Sequence, residues 1–340
     1  MGNNWKHITL DDACRIINGR SQKAVENSDG KYPIYGSGGI MGYADDYLCK
    51  GGSTIIGRKG TINKPIYVES DFWNVDTAFG LCPKPGVDPK FFFYLCQSID
   101  WLKYNKSTTL PSLVKTDLLK IAISIPEPEE QIRIAKELDL LNDLVAIKDR
   151  QLKDFEALCK SIFFESFGDP IANDKGWPTK KVIDVVKMQR GFDLPVQERD
   201  SSGSIPVYGS NGVIGKHTES KMAEGVITGR SGTIGLVYCS ETPFWPLNTT
   251  LFSVDCHGNN VKYLKYLLTY FHLERFSAGA GVPTLNRNEF HGEQIIDVPI
   301  EKQLLFAETI KDIEGKMDLI QKTKDDCKTL LSSRMDYWFN

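Results

Sequence analysis

Two stretches of the chain carry apolar residues in alternating steps of four and three positions. In the first stretch the positions are Ile134, Leu138, Leu141, Val145, Lys148, Leu152, Phe155, Cys159 and Ile162. In the second they are Phe306, Ile310, Ile313, Met317, Ile320, Lys324, Cys327, Leu331 and Arg334. A mean step of about 3.5 residues, held over about four heptads, predicts two long helices that pack together along a seam. An amphipathic helix that packs only on its own domain is the alternative.

The second stretch lies 172 residues after the first, and blocks ahead of the helices recur at the same offset. Trp5 returns as Trp177, and Gly57-Arg58-Lys59-Gly60 returns as Gly229-Arg230-Ser231-Gly232. Leu110-Pro111-Ser112-Leu113 returns as Val282-Pro283-Thr284-Leu285. Tyr35-Gly36-Ser37-Gly38-Gly39 returns one residue out of step as Tyr208-Gly209-Ser210-Asn211-Gly212. One polypeptide therefore folds as two copies of one unit, related by a pseudo-two-fold axis.

The duplication predicts the direction of the helices. Each helix closes its copy, and a two-fold axis normal to the helices makes their pairing antiparallel. The 29-residue seam spans roughly 43 Å at about 1.5 Å per residue, somewhat more than one turn of B-DNA. Lys148 and Lys324 each place one ammonium group in the seam. They either extend to its rim or fix its register.

Short stretches of strand-forming residues alternate with glycine-rich turns ahead of each helix, for example at 53–56, 64–68 and 78–81. Aromatic-rich helices that contribute to the core are expected at about 89–104 and 261–276, and a last strand at 121–125. The predicted fold class is α+β: two pseudo-symmetric small α+β domains joined by two long antiparallel coiled-coil helices. The expected domains are 1–126 and 169–299, and the expected spacer helices are 127–168 and 300–340.

Charge and cysteine content narrow the class of protein. The formal net charge is −3, but acidic residues exceed basic ones by five in 127–169 and by one in 300–340, so the remainder is mildly basic. Contact with a polyanion is therefore permitted. The eight cysteines never approach CxxC spacing, which predicts reduced thiols in a cytoplasm and no zinc site. No apolar run approaches the length of a membrane span.

Three loops recur in both copies: the Tyr-Gly-Ser block, the Gly-Arg block and the block around Pro111 and Pro283. Glycine lets the backbone approach a ligand closely, and the guanidinium groups of Arg58 and Arg230 suit phosphate oxygens or guanine edges. A structural salt bridge is the alternative for both arginines. Because Ser231 replaces Lys59 in the second copy, a phosphate-binding role of Lys59 need not transfer.

Sequence motifs of catalysis are missing. The chain has no Gly-x-Gly-x-x-Gly after a strand, no Walker lysine, no His-Glu-x-x-His and no Asn/Asp-Pro-Pro-aromatic motif of amino-methyltransferases. We therefore expect a chain that is not an enzyme by itself and that holds no metal or cofactor.

The layout resembles the specificity subunit of type I restriction-modification enzymes over essentially the whole chain. The resemblance rests on the paired blocks and on Ile125-Pro126 and Val298-Pro299, which precede Gln131 and Gln303. It implies two target-recognition domains, each binding one half of a bipartite, asymmetric double-stranded DNA site. It also implies docking of two adenine-N6 methyltransferase subunits and of restriction subunits. S-adenosylmethionine, ATP and Mg would belong to those partners, in the cytoplasm of a bacterium or archaeon.

Divergence between the copies marks the segments expected to read bases, whereas the repeated loops are expected to position phosphates. Candidate DNA-binding residues of the first copy are Arg20, Ser21, Gln22, Lys23, Ser37, Arg58, Lys59, Lys103, Lys106, Ser107, Thr108 and Ser112. Those of the second copy are Gln189, Arg190, Ser210, Asn211, Arg230, Ser231, Arg275 and Thr284. A non-catalytic two-domain scaffold that binds protein or carbohydrate ligands is the alternative function.

Overall fold

The computed structural model describes residues 5–279 and 281–340. The chain divides into unit 1, made of Met1–Asp149 and Lys322–Asn340, and unit 2, made of Arg150–Gln321. Each unit thus combines a globular part with a part of each long helix. The division of the chain into two domains and two spacer helices at residues 126, 168 and 299 stays a prediction, and its residues 1–4 and 280 lie outside the described residues.

Unit 1 is built from short strands and helices that precede the first long helix. In chain order they are β1 (Lys6–Thr9), α1 (Leu10–Ala13), β2 (Cys14–Asn18), β3 (Tyr32–Gly36), β4 (Gly39–Ala44), β5 (Ser53–Gly57), β6 (Ile66–Val68), β7 (Trp73–Asn74), β8 (Ala78–Pro83), α2 (Pro89–Ser98), α3 (Lys115–Leu118), β9 (Ala122–Ile125) and α4 (Pro128–Phe167). The strands form sheets of order β2-β8-β5-β6, β4-β3-β7 and β1-β9. All pairs are antiparallel except β3 and β7, where Ile34 lies opposite Trp73.

Unit 2 repeats this order. Its elements are β10 (Thr179–Lys181), α5 (Val182–Val185), β11 (Lys187–Arg190), β12 (Ile205–Gly209), β13 (Gly212–His217), β14 (Gly225–Gly229), β15 (Val237–Ser240), β16 (Trp245–Pro246), β17 (Thr250–Asp255), α6 (Val261–Tyr270), β18 (Ser277–Ala278), β19 (Thr284–Leu285), α7 (Arg287–His291), β20 (Gln294–Ile296) and α8 (Ile300–Phe339). The sheets have the orders β11-β17-β14-β15, β13-β12-β16, β10-β20 and β18-β19. Because three of these sheets match those of unit 1, the predicted fold class is confirmed.

The aromatic-rich helices are shorter than predicted. Helix α2 ends at Ser98 and helix α6 ends at Tyr270. In unit 1 the backbone turns extended at Ile99, and the side chain of Asp100 starts a separate 3₁₀ turn by accepting a hydrogen bond from the amide of Leu102 at 3.1 Å. In unit 2 the left-handed backbone of His272, with φ of 56°, precedes the equivalent turn. A helical apolar pattern continues through such breaks, so the sequence alone did not show them.

In unit 1 the first part of α4 packs against the last part of α8. Arg334 pairs with Glu137, and Lys324 Nζ lies 2.9 Å from Asp149 Oδ1. Partner numbers fall along α8 as they rise along α4, so the helices run antiparallel in this unit. Lys324 is paired across the seam instead of extending to its rim, with 12% of its side chain exposed.

In unit 2 the last part of α4 packs against the first part of α8. The ring of Phe306 lies 5.7 Å from that of Phe163 and 5.2 Å from that of Phe167. Both α4 phenylalanines are fully buried with residues of the globular core, and neither belongs to the heptad pattern. Ile134 and Leu138 of α4 lie in the core of the first copy, which α4 closes. The two alternatives of the sequence, a helix-to-helix seam or packing on the own domain, therefore both apply. All heptad positions of α4 and α8 are buried or half-buried.

A buried glutamine ties the start of each long helix to its unit. Gln131 donates to the carbonyl of Pro126 at 2.9 Å and accepts from the amide of Asp88 at 2.8 Å. Gln303 donates to the carbonyl of Val298 at 2.8 Å in the same way. The proline and the glutamine that recur before each long helix therefore have a structural role: the glutamine holds the start of the helix to the segment that contains the proline.

Candidate nucleic-acid interface

The three repeated loops meet in unit 1. Lys59 and Ser112 form an isolated antiparallel bridge. The amide of Gly60 donates to the carbonyl of Pro111 at 3.0 Å. A Cβ atom on Gly60, which has φ of 82°, would lie 3.8 Å from Ser37 Oγ. The turn between β3 and β4, the loop after β5 and the loop before α3 thus form one surface, which we call the three-loop site.

Unit 2 builds the same site from the second copy of each loop. Ser231 and Thr284 form the equivalent bridge. Gly232 donates to the carbonyl of Pro283 at 3.2 Å. A Cβ atom on Gly232, with φ of 88°, would lie 3.6 Å from Ser210 Oγ. The repetition therefore extends from the sequence of the loops to their hydrogen bonds.

The arginine of each three-loop site is held by backbone and not by a carboxylate. Arg58 donates through Nη1 to the carbonyl of Asp76 at 3.4 Å, and its guanidinium lies 5.8 Å from the ring centre of Phe79. Arg230 donates through Nη1 to the carbonyl of Asn248 at 3.3 Å. Within the described ranges neither guanidinium forms an ion pair, so the salt-bridge alternative is wrong and both charges remain available to a ligand.

The first divergent segment lies beside the three-loop site of unit 1. Arg20 donates its amide to the carbonyl of Asn74 at 3.0 Å and accepts from Trp73 Nε1 at 3.0 Å. Strand β7, which contains both partners, pairs with β3, and β3 leads into the turn of Ser37. Within this segment Arg20, Ser21 and Lys23 are exposed and Gln22 is half-buried.

The second divergent segment of unit 1 is attached to the loop of Ser112. Asn105 Oδ1 accepts from the amide of Ser107 at 3.0 Å and from that of Ser112 at 2.8 Å. The amide of Lys106 donates to the carbonyl of Ser112 at 3.1 Å. Thr108 is exposed in the same loop. Lys103 instead lines a separate cavity of about 270 Å³ with Trp5, so the structure does not bring it to the three-loop site.

In unit 2 the candidate residues gather more closely. Arg190, at the end of β11, lines one cavity of about 450 Å³ with Arg230, Thr284 and Arg287. The sequence analysis missed Arg287. The sequence did contain a feature that could have identified it. A basic residue follows the last leucine of the repeated block by two positions in both copies, as Lys115 and Arg287.

The other candidates of unit 2 lie on exposed surface. Gln189 precedes Arg190 on β11, and Asn211 occupies the turn between β12 and β13. The guanidinium of Arg275 stacks on Phe271 and Phe276 at 4.4 and 4.6 Å from their ring centres. Such stacking fixes the orientation of the guanidinium plane.

Exposed apolar residues follow the glycine-rich turn in both units, and the sequence analysis missed them. Ile40 and Met41 are 57% and 62% exposed at the start of β4, and Val213 and Ile214 are 55% and 46% exposed at the start of β13. Because they add little to a core in either copy, their recurrence suits contact with a ligand. Thymine methyl groups are apolar features of DNA that such side chains can contact.

A neutral histidine supports β11 beneath the arginine-lined cavity. The amide of Met188 donates to His291 Nε2 at 3.1 Å. Burial, and then the positive charges of Arg287 and Lys187, lower the pKa of His291. The imidazole therefore stays uncharged near neutral pH and can accept this bond.

The part of the chain that the structure describes contains no candidate metal site and no candidate membrane-spanning helix. No group of three or more His, Cys, Asp or Glu residues there could hold a metal ion. None of the helices in residues 5–279 and 281–340 combines the length and apolar character needed to cross a membrane.

Comparison with known proteins defines the family. The model of the type I restriction modification DNA specificity domain matches twice, at residues 2–156 and 174–328. The chain therefore belongs to this family, and the predicted resemblance is confirmed. Its curated relatives are specificity subunits of type I restriction enzymes.

Relatives agree with this assignment. The chain is 28% identical over 162 residues to the type I restriction enzyme MjaIX specificity subunit of Methanocaldococcus jannaschii, covering 42% of this chain and 36% of the relative. It is 21% identical over 306 residues to a Haemophilus influenzae protein named for a type I restriction enzyme specificity subunit, covering 82% of this chain and 78% of the relative. The chain thus matches about a third of the first relative's length and about three quarters of the second's.

A solved structure shares the fold. The S subunit of a type I restriction-modification system from M. genitalium superimposes with a TM-score of 0.74 at 17% identity, covering 100% of this chain and 98% of that chain. A chain from a second solved structure of a type I R-M system superimposes with a TM-score of 0.55 at 15% identity, covering 99% of this chain and 97% of that chain.

Proposed function

We propose that each unit binds one half of a bipartite, asymmetric DNA site through its three-loop site. The observation that carries this proposal is the convergence of the same three loops in both units, each around an arginine without a carboxylate partner. Unpaired guanidinium groups beside glycine backbone suit the phosphates and base edges of a duplex. The domains that carry out this recognition would be 1–126 and 169–299.

The two sites differ in the basic residues near their arginines. Lys59 of unit 1 corresponds to Ser231 of unit 2, and Lys115 corresponds to Arg287. The segments that begin at Arg20 and at Arg190 share little sequence. The loops are alike in the two units but the residues around them differ, which favours two different half-sites. The long helices would set the distance between these half-sites.

Exposed aliphatic residues on the long helices support the docking of two copies of one partner. Ile132 and Ile147 of α4 and Leu330 of α8 are 42%, 45% and 50% exposed in unit 1. Their equivalents in unit 2, each 172 residues away, are 53%, 66% and 44% exposed: Leu304, Leu319 and Leu158. Exposed aliphatic side chains that recur in both copies suit an interface with another protein.

The partners would be two adenine-N6 methyltransferase subunits, and the complex would then recruit restriction subunits in a bacterial or archaeal cytoplasm. S-adenosylmethionine, ATP and Mg would bind to those subunits. The present chain would contribute the choice of DNA sequence and the assembly surface.

Arginine substitutions test the DNA-binding proposal. The chain with its methyltransferase subunits is titrated with a duplex that carries the motif mapped from methylated bases of the source genome. We expect Arg58→Ala and Arg230→Ala each to weaken binding about tenfold or more, because each removes a charge-assisted contact. Arg150→Ala, an exposed arginine of α4, is the control and should leave affinity unchanged. If the wild-type complex shows no salt-dependent duplex binding, the proposal is wrong.

A further inference from the structure

Unit 2 contains a cavity whose wall holds three arginines. The cavity has a volume of about 450 Å³ and is lined by Arg190, Arg230 and Arg287 together with Leu251, Thr284, Leu285, Asn286 and Asn288. We propose that this arginine cavity binds one backbone phosphate of the DNA, with Arg287 as a contact residue. The inference rests on the proposed function and adds a phosphate anchor that belongs to unit 2 alone.

The three guanidinium groups keep most of their donors for a ligand. Arg287 donates through Nη1 to the carbonyl of Met188 at 3.5 Å, a long bond. Arg230 makes one such bond, to Asn248. Arg190 Nη2 lies 3.8 Å from Asp193 Oδ1, an ion pair between exposed groups. Each guanidinium carries five N–H donors, so a ligand rich in acceptor oxygens can be bound without breaking the existing contacts.

The charge balance of the cavity favours an anion. Asp193, which also accepts from Asn248 Nδ2, is the single carboxylate paired with these arginines among the described residues. Three positive charges therefore line the cavity, and one of them, that of Arg190, is paired with a carboxylate. Bringing guanidinium groups together in this way costs repulsion that a bound phosphate would relieve.

Unit 1 has no matching arrangement at the equivalent positions. The residues that correspond to Arg190 and Arg287 are Asn18 and Lys115. Lys115 Nζ donates to the carbonyl of Ile16 at 2.6 Å, and Ile16 corresponds to Met188. This short bond leaves the ammonium about two further donors, whereas the guanidinium at the same place in unit 2 keeps about four. Of the three arginine positions, only that of Arg58 keeps an arginine in unit 1.

A phosphate suits the cavity better than a base edge. One arginine is enough for the two acceptors of guanine, O6 and N7, which carry no net charge. A phosphodiester has a full negative charge and accepts from several directions, as three converging guanidinium groups require. A phosphate contact carries no sequence information. We therefore expect unit 2 to hold the duplex more tightly than unit 1, irrespective of sequence at this point.

The test measures affinity against salt for the chain with its methyltransferase subunits, on a duplex with the mapped motif and on one without it. The key variant is Arg287→Gln, which removes the charge and keeps a polar side chain. Lys115→Gln in unit 1 is the matched control. For Arg287→Gln we expect a loss of about tenfold on both duplexes and a salt slope smaller by about one. For Lys115→Gln we expect no change in either quantity.

A neutral methylphosphonate placed at successive positions of the duplex identifies the phosphate. The wild-type complex should lose affinity at one position on the unit 2 side, and Arg287→Gln should no longer respond at that position. A loss confined to the motif duplex with an unchanged salt slope would show base reading and overturn the inference. Unchanged binding of Arg287→Gln would overturn it as well. If Arg58→Ala and Arg230→Ala still weaken binding in that case, the proposed function stands and only this inference fails.

Discussion

Each buried glutamine at the start of a long helix should stabilise its own unit. In Gln131→Ala, three hydrogen bonds are lost: those to the carbonyls of Pro126 and Gly86, at 2.9 and 3.2 Å, and the one from the amide of Asp88 at 2.8 Å. Gln303→Ala loses the bonds to the carbonyl of Val298, to Asn259 Oδ1 and from the amide of Asn260, at 2.8, 2.7 and 2.9 Å. Both glutamines are 1% exposed, so water does not replace these bonds easily.

The expected cost follows from these bonds. A buried hydrogen bond contributes about 0.5–1.5 kcal/mol net, so three of them give roughly 2–4 kcal/mol. That is a large fraction of the stability of an ordinary domain. Peptide-resolved hydrogen exchange measures the two units separately. A loss of about 3 kcal/mol corresponds to exchange more than a hundredfold faster in the affected unit.

Each of the two variants should destabilise one unit and leave the other unchanged. Gln131→Ala should accelerate exchange in α2 and the first part of α4, and Gln303→Ala should do so in α6 and the first part of α8. The control is Gln97→Ala, an exposed glutamine of α2, which should change stability by no more than about 0.5 kcal/mol. Equal effects of either buried variant on both units, or none beyond the control, would refute this account of the bonds.

Other contacts predict three further outcomes. Because the pKa of His291 is lowered in the fold, the unfolded chain binds a proton at this residue more readily than the folded chain does. The stability that His291 contributes is therefore complete above its ordinary pKa of 6.5 and is lost as pH falls below that value. Denaturation between pH 7 and 5 should show this loss in unit 2, and His291→Gln should remove it. Ile310→Ala, at a fully buried position, should destabilise unit 2 by about 2–5 kcal/mol in urea denaturation, and a change below about 1 kcal/mol would contradict its place in the core. Ile147→Glu and Leu319→Glu should each remove one methyltransferase subunit from the complex in native mass spectrometry, and retention of both subunits by the double variant would exclude this docking surface.

The long helices were predictable because their pattern is local. A period of 3.5 residues can be read from consecutive side chains, and positions such as Leu138 and Ile310 are buried where the pattern placed them. The pattern was incomplete after Cys159, where α4 buries Phe163 and Phe167 in addition to the half-buried Ile162. There the helix packs on a globular core, whose shape is set by distant parts of the chain.

The sequence predicted which loops form the candidate site, but it did not predict how these loops are placed relative to one another. Repetition showed that the loops of Arg58 and Ser112 matter in both copies, but the bonds that join them link residues about fifty positions apart. Arg287 was missed for the same reason, since its place beside Arg190 depends on the packing of α7 against β11 and not on nearby sequence. Lys103 was included because it lies in a divergent segment, yet the structure places it at another cavity.

Exchange of residues 1–126 shows whether each unit recognises its own half of the DNA site. These residues are replaced by the corresponding segment of another specificity subunit, the chain is expressed with its methyltransferase subunits, and the methylated motif is mapped by modified-base sequencing. We expect one half of the motif to change while the other half keeps its sequence. A motif altered in both halves, or in neither, would contradict recognition of one half-site by each unit.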